Sequence, residues 1–383
     1  MNVTVVDPQK RGDGMGSYVV YKVVTSTTLP FFGGRNFEVF RRYSDFLGLY
    51  TKLREKYAPY GRIIPPPPEK DMIATTSTKF SKDQGHSNAD FVNRRRSALE
   101  RFMQRLTTCT LYRQDPDLRD FITQTGDLPK SSDTSALSTA GIKRLFSKVS
   151  NSVTGVVVPF DDPDPWFDER LEQLSILENQ LRKLVDAAEI MQHCRHEAAL
   201  GVGALGGSLR LLANAEENNA LSRAISQLAE ATERAQEIKQ SQSEYDSLLF
   251  SEQVHDYVLW LGGVRGVFEE RCKAYRKIKE LEQHLNRKRE AKARAELQSP
   301  AVPDKVRQLE EECSQTSSQL DKAKDDVEKM SQTLKDELSR FEITRAKDFF
   351  RFGHSYLERQ ADTQQQMIDL WTGLLPEIKN VPA

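Results

Sequence analysis

The chain has 383 residues, of which 29% are charged and 8% aromatic, and its formal net charge is −1. This length allows about two or three domains with cores of their own, and the balanced charge restricts attraction to nucleic acid or anionic lipid to local patches. No run of residues reaches the roughly 18 apolar positions of a membrane span, and Met1–Asp7 lacks the basic and apolar segments of a secretory signal.

Residues 1 to about 128 predict a compact α+β domain built on a three-stranded antiparallel sheet. Val3–Val6, Tyr18–Thr25 and Phe37–Arg42 are rich in β-branched and aromatic residues, which favour strands. Turns between the strands are expected at Asp7-Pro8 and at the glycines of residues 12 to 16.

Two helices are expected to complete this domain. The first runs from Asp45 to Tyr57 with Ser44 or Asp45 as its N-cap, and one apolar face is formed by Phe46, Leu49, Tyr50 and Leu53. The second runs from Phe91 to Leu106, with apolar residues facing inward and several arginines facing outward.

Residues 129 to 160 predict a linker that contains a short amphipathic helix. After the Ser/Thr-rich stretch Lys130–Thr139, apolar residues recur at helical spacing, with cations between them: Ile142, Leu145, Phe146 and Val149. Such a helix could simply pack on the neighbouring bundle. Its cations and its place in a linker favour insertion into a membrane interface instead.

Residues 161 to 383 predict an all-α region of three long antiparallel helices. Their expected bounds are about Trp166–Leu212, Asn218–Leu297 and Asp304–Trp371, and apolar residues recur at sustained steps of three and four, as in coiled coils. The later two would each be roughly 100 Å long, so their apolar stripes are expected to need a dimer partner. Gly262-Gly263 predicts a bend within the second helix.

A cationic cluster lies near the expected tip of the bundle. Its members are Arg287, Lys288, Arg289, Lys292 and Arg294. Such a run is usually only a solvated helix face. At the end of a curved rod it could meet anionic lipid, where each cation contributes on the order of 1 kcal/mol.

Three stretches of the N-terminal domain predict an anion pocket. Arg41-Arg42-Tyr43 places two guanidiniums beside an aromatic ring, the run Pro65–Lys70 forms a stiff loop that ends in a cation, and Arg94-Arg95-Arg96 adds a cationic helix. Guanidinium forks match phosphate oxygens, so the combination predicts a pocket for a phosphorylated head group. The proline run could also be a ligand for SH3 or WW domains, which its place inside a domain makes the minority interpretation.

Residues 1–128 resemble the PX (phox-homology) phosphoinositide-binding domain, in Arg41-Arg42-Tyr43-Ser44-Asp45-Phe46, the proline loop and the arginine helix. By matching positions, the resemblance implies that Arg42 holds the 3-phosphate while Tyr43 packs on the inositol ring. Lys70 would contact the 1-phosphate, and Arg95 would bind hydroxyls on the far side of the ring. The membrane-inserting loop of that family would fall near Asp71–Phe80, with Met72 and Ile73 as its apolar candidates.

The whole chain resembles the PX-BAR sorting nexins, in the subgroup of sorting nexins 1 and 2 and yeast Vps5, with a BAR domain after the linker. The stretches that carry the resemblance are Asp161–Arg170, Ala220–Glu230 and Arg287–Arg294. Members of this subgroup begin with a long disordered region that does not precede Met1 here, so this sequence is expected to be part of a longer protein.

The family resemblance implies a peripheral protein of early endosome membranes and tubules. It would bind phosphatidylinositol 3-phosphate or phosphatidylinositol 3,5-bisphosphate, form a homodimer or a heterodimer with another sorting nexin, and bend membrane into tubules. It would work with the retromer trimer in endosome-to-Golgi retrieval. The alternative is a coiled-coil scaffold with a protein-binding N-terminal module.

The chemistry-bearing residues predict no metal site, no cofactor and no enzymatic activity. The four cysteines are scattered, as expected for free thiols: Cys109, Cys194, Cys272 and Cys313. His193 and His196 share a helix face without a second ligand pair, and the glycines of residues 12 to 16 precede a strand where a dinucleotide fingerprint needs a helix. No basic groove interleaved with aromatics predicts nucleic-acid binding.

Overall fold

The computed structural model describes residues 1–12, 17–69, 84–126, 128, 162–298 and 303–379, with the backbone alone at 84–90, 298, 303 and 377–379. Several residues named above lie outside these ranges: Lys70, Met72, Ile73, Ile142, Leu145, Phe146 and Val149.

The N-terminal region contains the predicted three-stranded antiparallel sheet, so the predicted fold class is confirmed. Strands β1 (Asn2–Arg11), β2 (Tyr18–Ser26) and β3 (Asn36–Arg42) lie in the order β1-β2-β3. Val23 pairs with Val5 on one side and with Val39 on the other, and all three are buried. β-Branched side chains therefore form the centre of the sheet, as their strand preference predicts.

Strand β1 is longer than predicted, because Asp7-Pro8 forms a bulge rather than a turn. The pairing register with β2 shifts between Val6 and Gln9, and Asp7 has a φ of 48°. Proline has no N–H for the ladder, and a bulge takes it out of the pairing without ending the strand. The Gln9 side chain donates to the Asp7 carboxylate at 2.6 Å and braces the bulge.

In the described part of this region, four α-helices accompany the sheet: α1 (Tyr43–Tyr57), α2 (Gln84–Thr108), α3 (Thr110–Arg113) and α4 (Pro116–Thr123). The predicted apolar face of α1 is buried. Helix α1 begins before the predicted residue, with Arg42 as its N-cap rather than Ser44 or Asp45. The reason is that Asp45 lies in the first turn, where its carboxylate accepts the backbone N–H of Arg42 at 2.8 Å.

The C-terminal region contains the predicted long helices with one unpredicted irregularity. They are α5 (Pro165–Ala215), α6 (Asn219–Asp246), α7 (Glu252–Gln298) and α8 (Pro303–Lys379). A π-helical turn, Ser247–Ser251, separates α6 from α7, whereas α7 runs without interruption through Gly262-Gly263. The helix assignment is continuous at the glycine pair, so the predicted bend there stays a prediction, and the helical phase changes at the π turn.

The chain forms two compact units. One, called the sheet unit below, comprises Met1–Glu172 with Leu259–Phe341, and the other, the helical unit, comprises Gln173–Val258 with Glu342–Ala383. Within the sheet unit, α7 and α8 share a core of heptad-spaced residues, Ile278, Leu285, Leu320 and Val327. The predicted domain boundaries, 1–128, 129–160 and 161–383, stay a prediction.

A buried ion pair anchors the start of the helical region inside the sheet unit. The Arg271 guanidinium binds the Asp162 carboxylate, and the side chains are only 2% and 3% exposed. Its Nε donates to the Ser331 hydroxyl at 2.8 Å, and its Cζ lies 3.4 Å from the centre of the Phe167 ring. These contacts hold the segment that leads into α5 against α7 and α8.

Candidate functional site

The corner between β3 and α1 holds Arg42 in a restrained position. Its backbone is fixed by Asp45, as described above, and its guanidinium lies 3.8 Å from the centre of the Tyr18 ring. The same guanidinium donates to the Tyr18 hydroxyl at 3.1 Å. A cation held over an aromatic face keeps its charge while losing little further freedom when a ligand binds.

Arg41 has a different role from its neighbour. Alternation along β3 turns it inward, where it is 1% exposed. Its guanidinium donates to the carbonyls of Phe121 at 2.9 Å, of Gly126 at 3.2 Å and of Gln124, at the end of α4. The expectation that both adjacent guanidiniums would grip a phosphate is therefore wrong for Arg41, which instead satisfies carbonyls that the helix end leaves without partners.

Tyr43 and Arg95 come together from distant parts of the chain. Tyr43 is the first residue of α1, and its hydroxyl donates to the Pro68 carbonyl at 2.7 Å. Arg95 on α2 lies 4.9 Å from the centre of the Tyr43 ring and 4.1 Å from that of Phe91. Burial raises the pKa of the neighbouring Tyr21 hydroxyl, and the positive charge of Arg95 opposes that shift.

Two of the three successive arginines of α2, Arg95 and Arg96, make contacts in different directions. Arg96 donates to the Val5 carbonyl at 2.9 Å and lies 3.6 Å from the Glu100 carboxylate, so it attaches α2 to β1. Arg95 is the member of the run that lies against Tyr43. Arg96 therefore supports the fold, whereas Arg95 lies beside the predicted pocket, because adjacent residues of a helix do not face each other.

The structure places Arg95 against the ring of Tyr43, and Arg42 directly precedes Tyr43 in the chain. A guanidinium beside an aromatic ring can bind phosphate oxygens while the ring covers one face of a sugar-like ligand. Sequence reasoning missed Tyr18 and Phe91, which support the two cations. The pairing register of β2 with β3 indicates Tyr18 as a neighbour of Arg42. Val20 pairs with Arg42, and Tyr18 lies two residues away from Val20 on the same face of β2.

The proline run forms part of the core. Pro65, Pro66, Pro67 and Pro68 are all buried, as are Ile63 and Ile64 before them. A ligand for SH3 or WW domains must present its prolines to a partner. The minority interpretation of this run is therefore wrong.

A separate cleft of about 410 Å³ lies between α1 and α7 in the sheet unit. Its walls include Arg54 and Glu55 from one helix and Arg265, Glu269 and Lys273 from the other. None of the residues predicted to bind lipid lines it, and its charges of both signs do not favour an anionic head group.

The predicted cationic cluster on α7 faces acidic residues of α8. Lys288 lies 3.3 Å from the Glu312 carboxylate, and Lys292 lies 3.1 Å from that of Glu310. Arg287 and Arg289 are exposed. A charge count along α7 alone therefore overestimates the local positive charge, and Arg287 and Arg289 are the members best placed to meet a surface.

The helical unit exposes an apolar surface. On α8, Ile343, Phe350 and Leu357 follow at heptad spacing and are 53%, 77% and 67% exposed. On α5, Ile190 and Leu211 are 65% and 73% exposed. Large apolar patches on a soluble surface mark association sites.

Helix α5 meets a length and composition test for a membrane span. It is the one such helix in the part of the chain that the structure describes, with a mean hydropathy of 1.2 over 18 residues that are 17% buried. The sequence predicts no membrane span, because it contains no unbroken apolar run long enough to cross a bilayer. A single helix of this kind is weak support for one, since helices that pack in soluble proteins pass the same test.

No group of three or more His, Cys, Asp or Glu side chains within the described ranges could hold a metal ion. The four cysteines are free thiols.

Two family models match the chain, the PX domain over residues 29–125 and the Vps5 C-terminal-like model over residues 142–377. Mouse sorting nexin-1 is 40% identical over 381 residues, which cover 100% of this chain and 72% of that protein. Bovine sorting nexin-2 is 39% identical over the same length and 73% covered. The solved SNX-BAR Mvp1 tetramer matches with a TM-score of 0.62 at 18% identity, covering 97% of this chain and 99% of that one, which shows a shared fold.

Proposed function

Because the chain belongs to the PX-BAR sorting nexins, we propose that it is a peripheral membrane protein that binds 3-phosphoinositides on endosomes. Its helical region senses and induces curvature, so that the protein coats membrane tubules. It acts as a non-enzymatic adaptor in retromer-linked retrieval from early endosomes to the Golgi.

The observation that carries this proposal is the contact of Arg95 with the Tyr43 ring, next to Arg42 in the chain. Arg42 supplies a restrained cation for the 3-phosphate, and the Tyr43 ring covers one face of the inositol. Arg95, 4.9 Å from that ring, meets the hydroxyls on its far side. Lys70, two residues beyond the Pro68 carbonyl that receives the Tyr43 hydroxyl, completes the pocket at the 1-phosphate.

Membrane curvature requires more than one pocket. The proposal includes a dimer, with itself or with another sorting nexin, through the apolar surface of the helical unit. A dimer carries two pockets. Its other proposed membrane contacts are Met72 and Ile73, Arg287 and Arg289, and the amphipathic linker helix. Together these contacts convert modest head-group affinity into avidity for a curved surface.

The direct test is binding to vesicles that vary in both head group and diameter. We expect preference for phosphatidylinositol 3-phosphate over phosphatidylserine at matched surface charge, and stronger binding to vesicles of smaller diameter. Equal binding to both head groups would contradict the pocket, and it would leave the scaffold with a protein-binding N-terminal module as the better explanation of endosomal recruitment.

The dimer surface is tested by Phe350→Glu. The Phe350 ring is 77% exposed, and its burial contributes about 2–3 kcal/mol at each of the two symmetric positions of an isologous interface. We expect the dissociation constant, measured by sedimentation equilibrium, to rise at least about a hundredfold. Leu297→Glu, at an equally exposed leucine in the sheet unit, is the matched control. A Phe350→Glu chain that dimerises like wild type would place the interface elsewhere.

The amphipathic linker helix is tested by Phe146→Glu. A carboxylate on the apolar face opposes insertion into the membrane, so we expect head-group binding to persist while tubulation of vesicles, scored by electron microscopy, falls severalfold. Asn151→Glu puts the same charge on the opposite side of a helical projection and should leave tubulation intact. Normal tubules from the Phe146→Glu chain would rule out the insertion.

A further inference from the structure

One wall of the proposed head-group pocket is a loop that also contacts the long helices. This loop, Gly61–Pro68, ends at the carbonyl that accepts the Tyr43 hydroxyl at 2.7 Å. Its four prolines are buried and lock their own φ angles, so it behaves as a stiff piece of backbone. A stiff segment of this kind can transmit a movement at its start to its end.

The start of the loop docks on α7 and α8. Gly61 has a φ of 80°, and a Cβ there would lie 2.4 Å from the Met330 carbonyl of α8, so only glycine allows this approach. A Cβ on Gly263 of α7 would lie 3.4 Å from the Ile64 carbonyl. At that distance a Cβ would be in ordinary van der Waals contact, so the loop lies directly against α7 at this residue.

An ion pair fastens this contact. The Arg62 guanidinium donates to the Glu337 carboxylate of α8 at 2.6 Å, and the Glu337 side chain is 10% exposed. Arg340 lies 3.0 Å from the same carboxylate. On the other side of the loop, the Tyr112 hydroxyl donates to the Ile63 carbonyl at 3.1 Å. The loop is therefore held from both sides at its start and is joined to Tyr43 at its end.

We propose that this loop couples the head-group pocket to the BAR helices, with Arg62 and Glu337 as positioning residues for lipid binding. Neither side chain touches the head group. Their ion pair holds the loop so that the Pro68 carbonyl restrains the Tyr43 ring. The inference rests on the proposed function, since it concerns the same pocket.

The coupling has a reciprocal consequence. If docking of the loop raises the affinity of the pocket, head-group binding must stabilise the docking by the same factor. Head-group binding in the pocket and docking of the loop on α8 would then strengthen each other. A change in the helices would alter lipid affinity without any change in the residues that touch lipid.

The experiment uses the full chain and soluble inositol 1,3-bisphosphate, the head group of phosphatidylinositol 3-phosphate, in isothermal titration calorimetry. We expect Arg62→Glu and Glu337→Arg each to weaken binding about tenfold, and the double variant to return to within about threefold of wild type. Glu328→Arg, at an exposed glutamate of the same helix, is the control for added charge and should bind normally. Arg62→Gln removes the charge without reversing it and serves if a reversed variant does not fold.

A second readout separates positioning from general destabilisation. In hydrogen-exchange measurements, inositol 1,3-bisphosphate should increase protection of the amides of residues 61–64 in wild type and not in Arg62→Gln. Binding by wild type together with unchanged affinity in the variants would overturn the coupling and leave the proposed function intact. Failure of wild type to bind the head group would overturn both.

Discussion

Arg42→Ala is expected to weaken binding to phosphatidylinositol 3-phosphate vesicles about ten- to a hundredfold while leaving binding to plain acidic vesicles unchanged. Charge-assisted hydrogen bonds from a guanidinium to a phosphate contribute about 1.5–3 kcal/mol, and each 1.4 kcal/mol is about tenfold in affinity. The corner itself should survive, because the contact with Asp45 uses the Arg42 backbone N–H.

Vesicle pelleting with both lipid compositions measures this effect, and a thermal melt verifies that the variant folds. Arg35→Ala is the matched control, because it removes an equal charge from the exposed turn at the opposite end of the same sheet. Lys70→Ala should also lose the preference. An undiminished preference in the Arg42→Ala chain would refute the assignment of the pocket.

Arg271→Ala is expected to lower the free energy of unfolding by about 3–5 kcal/mol, because it leaves the Asp162 carboxylate charged and buried without its partner. The change also removes the hydrogen bond to Ser331 and the contact with Phe167. Urea unfolding followed by tryptophan fluorescence is suited to the measurement, since Trp166 and Phe167 are in ring contact beside this site.

Two further variants decide whether the loss comes from the buried charge. Arg276→Ala, at an exposed arginine of the same helix, should change the unfolding free energy by less than about 0.5 kcal/mol. Arg271→Met combined with Asp162→Leu should recover most of the loss, because a well-packed apolar pair often replaces a buried ion pair without penalty. A loss of less than about 1 kcal/mol in Arg271→Ala would show that the anchor is not a major source of stability.

The pair Arg41-Arg42 shows the limit of reading a site from a motif. Both arginines fit a phosphate-binding pattern, and the alternation of a strand sends them to opposite sides. Arg41 is taken up by the end of α4, where the Phe121 carbonyl that accepts its Nε–H lies 80 residues later in the chain. The position of α4 therefore decides which of the two arginines is left to face a ligand. The cationic cluster on α7 is a second example, because Glu310 and Glu312 oppose it only once α8 has packed alongside.

The sequence by itself determined the elements that depend on local patterns. Strand composition, helical periodicity and the prolines around residue 300 predict the sheet, the helices and most of their ends, because these depend on interactions within a few residues. Only the tertiary structure decided that Arg41 binds carbonyls at the end of α4, that the proline run is buried, and that Gly61 lies against α8. Each of these depends on pairs far apart in the chain, such as Arg62 and Glu337, which are 275 residues apart. No local pattern encodes such pairs, because the packing of other elements sets the distance between them.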